Sequence, residues 1–271
     1  MVRSLWTAAS GMIAQQNNVD TIANNLANVN TTGYKTEVAE FKSLLYQDIK
    51  AKSTSANSEQ KPIPSQVGLG VRNSAITSVF TQGAYLDSSN DLAFAIGGDG
   101  FFGVRGQDGN TYYRRNGIFV LATDTNGLAL TTTDGLKVLD ADGKPIVFDE
   151  SFVASQITVT ADGQICYPDD QNNPQPLGME IGLWQFNNPS GLQKTDSGLF
   201  SESAASGAAM NEYTTNSLVR SELRQGYLEG SNVQVADEMV NMIVAQRAYE
   251  LNSKAIQASD EMMQQANNLR R

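Results

Sequence analysis

The chain has 271 residues, of which 40% are hydrophobic and 18% charged, and its formal net charge is −10. It has no histidine and a single cysteine, Cys166, which excludes His-based triads, His-ligated zinc, intramolecular disulfides and Cys-cluster metal sites. The acidic balance argues against a sequence-independent grip on nucleic acid or anionic lipid.

The first five residues carry only Arg3, and no continuous apolar run follows as far as Asn30, so no cleaved secretory signal is expected. No window approaches the ~18 apolar residues of a membrane span, so no membrane insertion is expected either. Leu5, Met12, Val19 and Leu26 recur every seven residues, and Ala8, Ile22 and Val29 follow three of them at a spacing of three. This apolar stripe predicts a helix over 1–32, with Gly33 as its stop. Gln15 interrupts the stripe, and the other face is rich in amides: Gln16, Asn17, Asn18, Asn24, Asn25 and Asn28.

Residues 33–75 read as an extended connector. Its part from Gln47 to Gln66 is rich in Lys, Ser, Thr, Ala and Pro and has few apolar anchors. Residues 76–230 read as β. Asx-Gly pairs, a strong hairpin signal, occur at Asp99-Gly100, Asp108-Gly109, Asn116-Gly117, Asn126-Gly127, Asp134-Gly135, Asp142-Gly143 and Asp162-Gly163. Short strand-like runs lie between them: 92–96, 101–105, 111–114, 118–121, 128–131, 137–139 and 146–148, continued by 157–160, 164–167 and 181–186. The pattern predicts an antiparallel sandwich or barrel. Residues 201–217, rich in Ser, Ala, Asn and Thr, read as a return connector.

The C-terminal stretch, 231–271, reads as a second helix. Val235, Met242, Tyr249, Ile256 and Met263 recur every seven residues, and Met239, Ala245, Ala248, Ala255 and Met262 widen the stripe. Ser231 or Asn232 is expected as its cap, with Asp237 and Glu238 favoured in the early turns. The expected fold class is therefore α+β: terminal helices paired like a coiled coil, an extended connector and a central antiparallel β domain. Neither helix can bury its stripe alone. The stripes either pair within one chain or meet neighbouring subunits, and the neutral amides beside them favour a shared interface.

A search for catalytic chemistry returns little. Asp149-Glu150 and Asp169-Asp170 are adjacent acids in polar loops, where neighbouring side chains point apart. Gly97-Gly98-Asp99-Gly100 lacks the Lys-Ser/Thr and the helix of a phosphate loop. Asp124–Gly127 and Asp140–Gly143 begin like calcium loops but lack the later glutamate. Cys166 has no histidine partner, and the aromatics Phe101, Phe102, Tyr112, Tyr113, Phe119 and Trp184 fall at strand positions expected to be core. No cofactor or metal is expected, and the informative parts of the chain are its two ends.

Those ends carry a resemblance. The run from Asn24 through Asn25, Leu26, Ala27, Asn28 and Val29 to Tyr34-Lys35 resembles the N-terminal motif of the bacterial flagellar rod and hook proteins. Ser231-Asn232-Val233, Glu238–Ile243 and Gln246–Lys254 resemble their C-terminal motif, and Gly100–Val104 and Tyr113–Phe119 resemble the family's first β elements. The distal-rod members look most similar. The opening Val2–Trp6, the Phe41–Tyr46 stretch with its polar connector to Val67–Val71, and the Arg247–Glu250 run all favour them, and the chain is short for a hook protein. A proximal rod or hook-type axial protein is the alternative.

The resemblance implies a structural subunit and no enzyme. It implies a helical homopolymer that crosses the periplasm and peptidoglycan and carries torque to the hook. The helices would form the inner tube and the β domain the outer layer. The implied partners are further copies of the chain, proximal rod proteins, the hook protein, the P-ring and L-ring proteins and the flagellar type III export apparatus. The subunit interface is expected to use Leu5, Met12, Val19, Ile22, Leu26, Met239, Met242, Ile243, Tyr249 and Ile256, with Asn24, Asn25, Asn28, Gln246 and Arg247 as polar partners.

Overall fold

The computed structural model describes residues 2–50, 65–124, 127–149, 152–169, 173–215 and 218–269. It is an α+β chain with two long helices, α1 (Val2–Ala27) and α2 (Val235–Asn268), separated by many short strands. The chain divides into two compact units. The helical unit takes Met1–Ala27, Glu37–Thr77 and Gln234–Arg271, and the β unit takes Asn28–Thr36 and Ser78–Val233.

In the helical unit, α1 runs through a stretch with no proline and no run of β-branched residues. It ends at Ala27, where Asn28 opens a turn by accepting from the Thr31 N–H at 3.1 Å. Gly33, expected as the helix stop, lies six residues further on. It adopts φ +71°, and a Cβ there would sit 2.8 Å from the Asn116 backbone nitrogen, so it serves a turn packed inside the β unit. α2 starts after Gln234, which makes no side-chain cap bond. The expected caps are used elsewhere: Ser231 Oγ accepts from the Val233 N–H, and Asn232 Oδ1 accepts from the Thr36 N–H and hydroxyl, both at 2.7 Å. Asp237 and Glu238 do fall in the first turn, where the helix dipole favours them.

The rest of the helical unit is extended chain paired with itself. Glu37–Ser43 pairs with Val71–Ser78, and Tyr46–Lys50 pairs antiparallel with Ser65–Gly68. The core of the sequence-expected connector, 51–64, lies outside the described residues.

The β unit is built on a ten-stranded sheet with antiparallel pairings. At its centre Phe101–Arg105 pairs with Thr111–Arg114, Lys137–Val138 and Leu183–Gln185. Phe101 and Phe102 are neighbours on one strand and point to opposite faces. Phe102 joins a core with Phe94, Ile96, Val104, Phe119 and Ile181, whereas Phe101 joins a second core with Tyr113, Trp184, Phe186 and Phe200. Both faces of this strand are therefore buried from Phe101 to Val104, which explains the unbroken apolar run over those residues. Of the Asx-Gly pairs, those ending in Gly109, Gly127, Gly135, Gly143 and Gly163 place glycine at positive φ. Gly117 does not; a side chain there would strike the Phe94 carbonyl oxygen, so this glycine permits close packing rather than a turn. Asn126 lies outside the described residues.

Residues 201–215, the described part of the expected return connector, are not a free loop. Met210–Asn211 pairs with Leu183–Gln185, and the Glu212 carboxylate is buried, accepting from the Ser221 N–H and the Gln185 amide at 2.7 and 2.8 Å. Ser203 and Ser206 fold their hydroxyls onto local backbone. Polar side chains here satisfy buried backbone, so their composition resembles that of a solvated loop.

A buried charge cluster ties the two ends of the β unit together. Lys35 Nζ donates to Glu229 Oε1 at 2.6 Å and to the Thr81 carbonyl at 2.7 Å. Glu229 Oε1 also accepts from the Gly83 N–H, and its Oε2 lies 3.7 Å from Arg115 Nε. Arg115 Nη1 donates to the carbonyls of Gly98 and Gly100. All three side chains are essentially inaccessible to solvent. Burial, with the Arg115 charge adding to it, pulls the Lys35 ammonium below the ordinary lysine range, against the opposing pull of Glu229.

Candidate assembly surface

The two helices lie side by side and run in opposite directions. Ser4 Oγ is 3.2 Å from Ser259 Oγ, a Cβ on Gly11 would stand 2.9 Å from Asn252 Nδ2, and Asn25 Nδ2 donates to Glu238 Oε2 at 3.2 Å. Each seven-residue step up α1 is matched by a seven-residue step down α2. The positions that meet are small or polar. Asn25 goes further and clamps the strand after α1: its Nδ2 donates to the Glu37 carbonyl at 2.8 Å and its Oδ1 accepts from the Glu37 N–H at 2.9 Å.

This seam is offset from the apolar stripes. On α1 the contacts fall at Ser4, Gly11 and Asn25, one position before Leu5, Met12 and Leu26. On α2 the buried residues are Glu238, Ala245 and Ser259 rather than the Val235–Met263 series. Large apolar side chains stand out in the sequence whether they pair within one chain or meet neighbouring subunits, and Ser4, Gly11, Asn252 and Ser259 do not. The signal was present, since these small residues recur at the same interval of seven.

The expected interface residues therefore divide by exposure. Ile22 and Asn25 are buried in the helical unit, and Leu5, Met12, Val19, Leu26, Met242 and Ile256 are half-buried along the edges of the seam. Asn28 belongs to the β unit and is half-buried there. Asn24, Met239, Ile243, Gln246, Arg247 and Tyr249 are exposed, Ile243 by 55% and Tyr249 by 42%. Trp6, Ile13, Val240, Val244 and Leu251 are also large, apolar and exposed. An aliphatic run of this extent on the outside of a helix pair marks a protein contact surface. Between the helices a groove of about 380 Å3 is lined by Gln16, Val19, Gln246, Tyr249 and Glu250. Arg247 Nη1 donates to Glu250 Oε2 at 2.9 Å across one turn of the exposed surface.

Among the described residues, no group of three or more Cys, Asp or Glu side chains is arranged to hold a metal, and no helix is long and apolar enough to cross a membrane. Cys166 is buried on the strand Gln164–Pro168. Glu150 and Asp170 lie outside the described residues.

Comparison with known proteins locates the same parts of the chain. Residues 5–35 match the family described as flagella basal body rod protein. Residues 95–167 match the flagellar hook protein FlgE/F/G D1 domain, and 224–269 match the flagellar basal body rod FlgEFG protein C-terminal family. The flagellar basal-body rod protein FlgG of Borreliella burgdorferi is 47% identical over 274 residues, covering 100% of both chains. Proteins of the same name from Buchnera aphidicola subsp. Acyrthosiphon pisum and Agrobacterium fabrum are 41% and 39% identical, over 99% and 96% of this chain and 100% and 97% of theirs. Two motif-bearing helices, a β region matched in its first half and these full-length relatives together place this chain in the flagellar basal-body rod protein family.

Proposed function

We propose that this chain is a structural subunit of the distal rod, polymerising through its terminal helices into the shaft that carries torque from motor to hook. The observation that carries the reading is the distribution of side chains on the helix pair. The seam within the chain uses small and polar residues, while Ile13, Val240, Ile243, Val244 and Leu251 are left to solvent. Such helices gain most of their stability when a further surface covers them. On this reading residues 1–32 and 231–271 form the assembly domain, with knobs-into-holes packing of coiled-coil type, 33–75 is a connector, and 76–230 is a β-rich domain.

The chain works without enzymatic activity. Its partners are further copies of itself, the proximal rod, the hook and the P- and L-rings, and it reaches the periplasm through the flagellar type III export apparatus. Helices whose outer faces are covered only by neighbours gain their full stability on assembly, which favours polymerisation where subunits meet at the growing tip.

The test is electron microscopy of basal bodies from a strain lacking the gene. A rod that stops short of its distal part and carries no hook is the expected result. A complete rod lacking only its hook, or intact flagella, refutes the assignment. Tyr249→Asp in the full chain should give the same truncated rod, because it places a charge on a surface that assembly must dehydrate. The β unit should keep its melting temperature to within ~2 °C, since the position is solvent-exposed in the single chain.

A further inference from the structure

We propose that Trp6 and Arg3 of one copy seat in the groove between α1 and α2 of a second copy, with Trp6 against Val19 and Tyr249 and Arg3 against Glu250. The proposal rests on the rod-subunit reading and names a contact through which copies join.

The groove wall combines an aliphatic side chain, an aromatic ring, two amides and a carboxylate. Its occupant must therefore bring a flat apolar body, a polar edge and a positive charge beside it. Trp6 supplies the body. It is 72% exposed, the most of any aromatic side chain among the large exposed hydrophobics. Its indole N–H donates and does not accept, which suits the side-chain carbonyl of Gln16 or Gln246. Arg3 supplies the charge. It is exposed and stands three residues before Trp6, so both project from one face of α1. Glu250 is held in its own chain by Arg247, an exposed pair one turn apart, and such a pair binds weakly enough to be shared.

Geometry excludes self-filling. Trp6 and Gln16 are ten residues apart on the same continuous helix, a separation of ~15 Å. The knob and the groove thus occupy different places on one surface. A contact of that kind is heterologous, and where its rotation does not close it propagates as an open helical stack. A rod requires this form of assembly, which a self-complementary two-fold contact would end at a dimer.

The test replaces Trp6 by the photoreactive aromatic p-benzoylphenylalanine in the full-length chain, in a strain whose own copy is deleted. Purified basal bodies are irradiated, digested with trypsin and analysed for cross-linked peptides. The expected result is a product of twice the chain mass, with position 6 joined to the peptide Ala248–Lys254. Cross-links from position 6 only to segments outside the groove wall, that is to neither Ser4–Lys35 nor Gln225–Lys254 of the second copy, or none in rods that contain the chain, overturn the groove contact and leave the rod reading standing. Absence of the unsubstituted chain from purified basal bodies overturns the rod reading itself.

A charge exchange supplies an independent test should the bulkier residue block assembly. Arg3→Glu and Glu250→Lys should each lower the number of complete basal bodies per cell about tenfold, equivalent to the loss of one charged contact. The double variant should return to within about twofold of the parent. A double variant no better than either single one overturns the pairing.

Discussion

Replacing Glu229 by Gln tests whether the buried charge cluster holds the two ends of the β unit together. The substitution keeps the shape of the side chain and removes its charge. Lys35, at 2.6 Å, and Arg115, at 3.7 Å, are then left as two buried cations without their shared partner. Removing one member of a buried pair costs about 3–5 kcal/mol, because the remaining charge has no water to return to. Against a total stability of about 5–15 kcal/mol, that is a large fraction. For a unit of this size the melting temperature should fall by about 6–20 °C, taking 2–4 °C per kcal/mol. Calorimetry of the full chain reads that shift, and hydrogen exchange reads its location. The amides of Gly33, Val79 and Gly83, which donate to the Glu229 carbonyl, the Thr36 carbonyl and the Glu229 carboxylate, should lose protection together. Those of Phe102 and Val104 in the central sheet should lose less. The Lys35→Met variant and the double variant complete a cycle, in which the double should cost much less than the two singles combined. A fall of under about 2 °C for Glu229→Gln, or additive costs in the cycle, would refute the argument.

Two further outcomes follow from the same geometry. Gly11→Leu should separate the helices, since even a Cβ at Gly11 approaches Asn252 to 2.9 Å; exchange protection of α1 amides in the single chain should drop, and an unchanged pattern would mean that the seam is looser than drawn. Lys35 should make stability depend on alkaline pH. Its ammonium titrates below the ordinary lysine value in the folded chain, so between the two values the unfolded chain binds more protons and stability rises with pH. The difference in unfolding free energy between the parent and Lys35→Met should therefore grow in the parent's favour as pH climbs through that window, and a flat difference would contradict the direction of the shift.

Much of the chain was legible because local chemistry decided it. Phe101–Arg105 and Thr111–Arg114 are strands with the bounds that their residue runs and the intervening Asp108-Gly109 turn imply, since a tight turn with glycine at positive φ dictates where a hairpin reverses. The two helices follow from heptad spacing in the same way, and the absence of histidine excluded whole classes of chemistry before any fold was known. Other features depended on contacts between residues far apart in the chain. Whether Leu5 or Ser4 faces α2 is a rotation of ~100° about one helix axis. The periodicity supports both, and it is the space available beside Asn252 and Ser259 that selects the small residue. Residues 201–217 look solvated by composition, yet Glu212 is buried because Ser221 and Gln185 lie where they can satisfy it. The Lys35–Glu229 pair joins positions 194 residues apart, so no local pattern could announce it. Short-range sterics write turns and periodicities into the sequence itself, whereas the pairing of buried charges and the facing of helices depend on which distant groups share a desolvated space, and that is settled only when the chain has folded.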